Sequence, residues 1–275
     1  MRSLNPRIII ALVIAAISAF TYFSSSSTNE VTGEKQRVSI SQEQEVALGL
    51  QAMPEMGAQF GGEIQDAALS QYVEEVGQKL ARQAGSGTTP YKFDFHVLRD
   101  PQTINAFALP GGQVSITMGL LTKLKNEAEL AGVLGHEIGH VMARHGAEHL
   151  AKQQLTQGLV GAVGIATYDP QNPSASTAAI AAAVGQLVSM RYGRNDELES
   201  DALGVKFMKQ AGYDPAGILS LMKILGESGS GGRQPEFFST HPNPENRIAR
   251  IEELIRQNGG AGGDLGTERF RQYVR

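Results

Sequence analysis

The sequence predicts an α+β fold, mostly helical, with one small β-sheet beside a central helix. Three observations carry this. Apolar residues recur at helical spacing along most of the chain, only two short stretches alternate with a period of two, and 41% hydrophobic residues over 275 positions suit a chain that buries a core. A formal charge of −4 leaves no general basic field, so composition excludes nucleic acid as a partner. The absence of cysteine removes disulfides, thiolate nucleophiles and cysteine-based zinc sites. Any metal ion would therefore have to be held by histidine and carboxylate.

Arg2 and Arg7 precede a largely apolar run from Ile8 to Phe23, and four serines follow from Ser24. That is the pattern of an export segment, so residues 1–26 are set aside as a signal peptide or an N-terminal membrane anchor. No clean Ala-x-Ala site marks a cleavage point. The basic end stays in the cytoplasm and the rest is exported. Residues 27–40 read as a linker, 41–257 as one domain, and 258–275 as a flexible glycine-rich tail.

Within the domain a helix is expected from Ser41, where Ser-Gln-Glu-Gln resembles a capping box. A second covers 68–84, with Leu69, Tyr72, Val73, Val76, Leu80 and Ala81 on one face. Tyr91 to Val97 alternates as a half-buried strand, and Gln113 to Met118 forms another after the Pro110-Gly111-Gly112 turn. These two could pair, and the second could offer an open edge to an extended polypeptide. Helical structure begins again at Leu120, and Asn126 leads into the helix that carries the histidines. Apolar stretches across 155–188 read as a helical hairpin turning near Pro170 and Pro173. Further helices are expected over 197–210, 215–225 and 244–257.

Four of the six histidines fall between His136 and His149. His136 and His140 are separated by four residues, about 40° around a helix, so both imidazoles project from one face and can share a metal ion. Glu137 lies beside them. A zinc ion held by neutral ligands activates its water, and an adjacent carboxylate can take the proton and later return it to a leaving nitrogen. The alternative is a pair of structural helix histidines with an unrelated glutamate.

A catalytic zinc has three protein ligands and one open position. The metzincin pattern needs a histidine ten residues after the first, and position 146 is glycine. A better source is the stretch from Arg194 to Gly204, where Glu197 and Asp201 share one helix face. Glu197 would complete the ligand set, and Asp201 would accept a hydrogen bond from a ligand histidine. The alternative here is a solvated acidic face, and Glu199 is assigned to it. In the segment Thr240-His241-Pro242-Asn243-Pro244-Glu245-Asn246-Arg247 the prolines present His241 rigidly. It could reach the zinc as an extra ligand or oxyanion donor, with Arg247 stabilising developing charge, or it could be a surface histidine before a helix. If the first helix continues, His145 and His149 lie on its far side and are surface or structural residues.

Together the stretch Asn105 to Gly112, Gly119-Leu120-Leu121, Glu127 to Leu130, the His136-Glu137-Ile138-Gly139-His140 segment and Glu197 to Asp201 resemble the family forty-eight gluzincin metallopeptidases. That family includes the BepA, HtpX and CAAX-protease types. The resemblance spans roughly Ser41 to Arg256. It implies a zincin-like α+β domain, one Zn2+ per chain, Glu197 as third ligand, and endopeptidase action on polypeptides. The substrates it implies are unfolded or misassembled cell-envelope proteins, met in the periplasm or on the periplasmic face of a bacterial membrane, with membrane association through the N-terminal segment. No helical repeat domain of the BepA type and no set of spanning helices of the HtpX or CAAX type is expected. Two other function classes compete: a zinc-containing chaperone or scaffold with little proteolysis, and a metallohydrolase for a non-peptide substrate.

Overall fold

A computed structural model describes residues 5–85, 87, 89–167, 192–228, 235–242 and 246–274. It divides into two compact units, one of residues 1–41 and 146–190, the other of residues 42–145 and 191–275.

In the first unit, helix α1 (Pro6–Ser24) starts where the Asn5 side chain accepts from the Arg7 amide and Pro6 takes the first turn. It is long and apolar enough to cross a membrane, and Ile9, Leu12, Ile17 and Phe20 stand exposed on it. The stretch expected to be a linker contains an antiparallel pair, β1 (Ser26–Thr28) and β2 (Lys35–Arg37). Asn29 nucleates the intervening turn by accepting from the amides of Val31 and Thr32. Helix α6 (His145–Thr167) supplies the first arm of the expected hairpin; its turn and second arm lie outside the described residues.

The second unit holds α2 (Gln42–Gln59) and α3 (Ala67–Gln83), the latter capped by the Asp66 carboxylate on the amides of Ala68 and Leu69. Its sheet has the order β3 (Asp94–Leu98), β5 (Gln113–Thr117), β4 (Ala106–Leu109). β3 runs parallel to β5, with Asp94 opposite Gln113, and β4 runs antiparallel, with Ala106 opposite Ile116. The second expected strand is thus central, not an open edge. The edges are β3 and β4, and the Ala-Phe-Ala-Leu sequence of β4 is too short and too uniformly apolar to alternate. At the β4–β5 turn, Gly111 has φ of 83°, and a Cβ there would sit 2.3 Å from the Val46 Cα. Only glycine lets α2 pass so close to that turn.

After α4 (Met118–Leu121), helix α5 (Glu127–Met142) carries His136 and His140 and is buried along all of its length. A helix wrapped on every side is a core helix, and the rest of the unit is packed around it. Asn126 caps it through the Glu129 amide. Helix α7 (Arg194–Gln210) crosses it where Gly139 meets Ser200 and Gly135 meets Gly204; α8 (Ala216–Ser228) packs where Gly132 approaches Ile218. Two short pieces follow, α9 (Phe237–Thr240) and α10 (Arg247–Gln257).

The region expected to be a flexible tail instead contains α11 (Thr267–Tyr273), with Phe270 buried. Arg269 reaches the buried Glu127 carboxylate, which also accepts from the Tyr213 hydroxyl at 2.7 Å and the Tyr72 hydroxyl at 3.1 Å. The glycines from 259 to 263 are tied down too, since the Lys209 ammonium donates to the carbonyls of Gly260 and Gly262.

A Cβ on Gly139 would lie 2.9 Å from the Ser200 carbonyl oxygen. Gly139→Ala gains about 1 kcal/mol of helix propensity. It must also push α5 and α7 apart, so a net loss of about 1–2 kcal/mol is expected in urea unfolding. A stability equal to or above wild type would show that the crossing is not tight.

Candidate metal centre

α5 places His136 and His140 one turn apart, and the i, i+4 pair on α7 places Glu197 and Asp201 opposite them. The segment between α9 and α10 brings His241 to the same point, its ring stacked on Phe237 at 4.3 Å between centroids. One donor atom from each of His136, His140, Glu197 and His241 lies within 4.8 Å of the others, and all four residues are buried. His136 Nε2 is 3.1 Å from His140 Nε2, 3.4 Å from His241 Nδ1 and 3.4 Å from a Glu197 oxygen. Glu197 Oε1 is 3.4 Å from His140 Nε2 and 3.0 Å from His241 Nδ1.

These separations test whether a cation suits the cluster. Donors about 2.0–2.1 Å from a tetrahedral zinc stand about 3.3 Å apart, close to what is seen here. Charge agrees. Glu137, Glu197 and Asp201 are all fully buried beside a single buried guanidinium, that of Arg247. With neutral histidines two negative charges remain, which a divalent cation would balance. Both oxygens of the Glu137 carboxylate are buried without a hydrogen-bond partner. Among the described residues no other carboxylate has both oxygens so exposed to the interior.

Asp201 lies 3.0 Å from His136 Nδ1, the nitrogen turned away from the cluster. Arg247 grips Asp201 through Nε at 2.7 Å and Nη2 at 2.9 Å, and its Nη1 lies 2.7 Å from Glu197. Nη1 also reaches the Pro242 carbonyl at 3.5 Å, and Nη2 approaches His136 at 3.4 Å. The fully buried guanidinium is thus engaged by Asp201, Glu197 and the Pro242 carbonyl.

Burial opposes protonation of His136, yet the Asp201 and Glu197 carboxylates push its pKa up to about 9. Burial, helped by the neighbouring His136 and His241 against the pull of Glu197, drives His140 well below the usual histidine range. Glu197 is held low against its burial by hydrogen bonds from the three histidines, and Asp201 likewise by Arg247. Glu137 goes the other way, raised by burial.

Sequence reasoning missed three neighbours. Tyr192 stacks on His140 with ring centroids 4.0 Å apart. His145 is buried, with its Nδ1 2.9 Å from His140 Nδ1, and its Nε2 meets Glu199 at 3.0 Å. The far-side position expected for His145 assumed an unbroken helix. Instead Arg144 takes a left-handed conformation, φ 60°, between α5 and α6 and turns His145 back. Glu199, assigned to a solvated face, is partly exposed there and is met by the His145 that this turn brings round. His149 lies in the first unit, on α6.

Comparison with known proteins follows the same lines. The profile described as Peptidase family M48 matches residues 67–255. The chain is 35% identical over 202 residues to the beta-barrel assembly-enhancing protease of Escherichia coli (strain K12), covering 70% of this chain and 40% of that protein. It is 33% identical over 230 residues to the protein of that name in Yersinia pestis, covering 82% and 46%. It is 36% identical over 185 residues to the mitochondrial metalloendopeptidase OMA1 of Schizosaccharomyces pombe (strain 972 / ATCC 24843), covering 67% and 52%. The chain thus spans about half or less of the length of these relatives.

The His136 shift gives a pH signature for chelator-treated protein. A folded pKa of about 9 against an ordinary 6.5 is stabilising below pH 6.5, and that contribution is lost as pH rises through 9. The stability at stake is about 3 kcal/mol. Urea midpoints should fall across that window in the wild type and hold flat in His136→Gln; parallel curves would contradict the assignment.

Proposed function

The chain belongs to peptidase family M48, and from that premise we propose that it is a zinc-dependent metalloendopeptidase, with the ion held by His136, His140 and Glu197. The observation that carries this reading is the Glu137 carboxylate, buried without a hydrogen bond and 3.6 Å from His241 Nε2, beside a donor set of zinc dimensions. Zinc bound there supplies a Lewis acid for the scissile carbonyl and an acidified water. Glu137 takes the proton of that water and passes it to the leaving nitrogen. Its isolation and raised pKa suit a base that must also act as an acid. Asp201 keeps His136 in the tautomer whose Nε2 faces the ion. Arg247 acts through Asp201 and Glu197 as a positioning residue, which replaces the direct charge-stabilising role expected from sequence.

His241 supplies a fourth donor, where a catalytic centre keeps an opening. We read it as a removable ligand that covers the site and gives way to substrate. The substrate class is polypeptide, laid as an added strand along β4, the edge of the sheet next to α5. The name of the Escherichia coli relative ties that protein to β-barrel assembly. Carried here, it supports unfolded or misassembled cell-envelope proteins as substrates, and a periplasmic place to which α1 leads as signal or anchor.

Glu137→Gln should retain zinc and lower cleavage of an unfolded protein by at least about 10³-fold, read by gel and by metal content. Equal cleavage by the variant would instead fit a chaperone or scaffold preparation contaminated by another protease, and would sink the mechanism. His241→Ala should raise the turnover of a short peptide severalfold, because it opens the fourth position. Unchanged turnover would remove His241 from the site.

A further inference from the structure

The interior holds a second, directional chain of groups behind His140. His140 presents Nε2 to the metal cluster, 3.1 Å from His136 Nε2 and 3.4 Å from Glu197. Its other nitrogen, Nδ1, lies 2.9 Å from Nδ1 of His145. His145 is buried, and its Nε2 lies 3.0 Å from Glu199 Oε2, whose side chain is 28% exposed. The Ser200 hydroxyl stands 3.4 Å from His145 Nδ1.

Two imidazole nitrogens 2.9 Å apart cannot both carry a proton or both be bare, so one donates and the other accepts. If His140 Nε2 gives its lone pair to a metal ion, its single proton must be on Nδ1. His145 Nδ1 must then accept, which puts the His145 proton on Nε2, directed at the Glu199 carboxylate. Every tautomer in the chain follows from the first. We propose that His145 and Glu199 are positioning residues that fix the tautomer and ring orientation of His140 for metal binding, as Asp201 does for His136. This rests on the reading of His140 as a metal ligand.

The backbone around His145 is arranged to the same end. Arg144 sits at φ 60°, a conformation that costs a non-glycine residue about 1 kcal/mol. It is held there by the buried Glu45 on α2, which accepts from Arg144 Nε at 2.7 Å and from the Tyr91 hydroxyl at 2.9 Å. Without that turn α5 would run on and carry His145 to the far side. The strained residue therefore has a local consequence: it aims an acceptor at the back of a ligand histidine.

The test is zinc affinity of the full chain, measured by competition with a chelator, alongside the thermal midpoint of the metal-free form. His145→Leu keeps the volume and removes the acceptor; zinc affinity should fall about 10–100-fold. His145→Asn puts a side-chain carbonyl roughly where Nδ1 was, and should recover most of that loss. A packing role would give the reverse order. Glu199→Ala, at a partly exposed position, should weaken zinc less than His145→Leu, while Glu199→Gln keeps an acceptor and should stay near wild type; this pair decides the matter if His145→Leu fails to fold. Zinc affinity unchanged in both His145→Leu and Glu199→Ala, or equal losses for Asn and Leu at 145, would overturn the proposal. His140→Ala separates the two levels: if it binds zinc like wild type, the metal centre itself is misassigned, whereas if it alone loses zinc, only the relay fails.

Discussion

Arg247 has no contact with solvent, and neither do Asp201 and Glu197, the carboxylates it faces. A buried guanidinium is tolerated only when paired and fully hydrogen-bonded, and breaking such a pair costs about 3–5 kcal/mol. Here one cation serves two carboxylates on successive turns of α7, and those carboxylates hold His136 and His140 of α5. The start of α10, the middle of α7 and the middle of α5 must therefore arrive together. None of the charged groups can be buried without the others, so the ion-pair network selects one arrangement of these helices.

The same constraint explains why α5 is enclosed throughout. Enclosure takes the four donors and Glu137 out of water, which strengthens every charge interaction among them. It also requires neighbouring helices at close range, which Gly132, Gly135 and Gly139 permit on successive turns. The Glu127 clasp at the N-terminal end and the Glu45–Arg144 pair at the C-terminal end then fix the helix along its axis. Both clasps pair a buried acid with an arginine and tyrosine hydroxyls. Buried acid–arginine pairing thus recurs at the two ends of the helix and beside its centre, where Arg247 meets Asp201 and Glu197.

What the sequence made legible were features written in local spacing. His136, Glu137 and His140, and again Glu197 and Asp201, are i, i+4 patterns that survive whatever the rest of the chain does. The helices over 67–83 and 194–210 were readable for the same reason. The place of His145 was misread because it depends on a helix break at an arginine, and nothing about Arg144 in sequence signals a left-handed residue. β4 was passed over because four apolar residues carry no period. The tail was taken as flexible from its glycines, although Arg269 and Phe270 lie just beyond them and are held by Glu127 and the core. Long-range partners, here Glu45 for Arg144 and Glu127 for Arg269, have no footprint in the local pattern.

Glu137 is the exception that gives the rest its meaning. Asp201, Glu197, Glu127 and Glu45 are each buried and each answered by a cation or donors, so the fold has ample means to satisfy an interior acid. Leaving both oxygens of Glu137 without a hydrogen bond costs at least about 1–3 kcal/mol, more for a charged group. Stability gives no reason to retain a glutamate there, since an apolar side chain of similar size would do better. A group kept at that cost, one residue from His136, fits a proton acceptor whose partner arrives only with substrate and water. The sequence placed Glu137 beside the histidines; its isolation is a property of the fold, and it is the feature that separates a hydrolytic centre from a structural one.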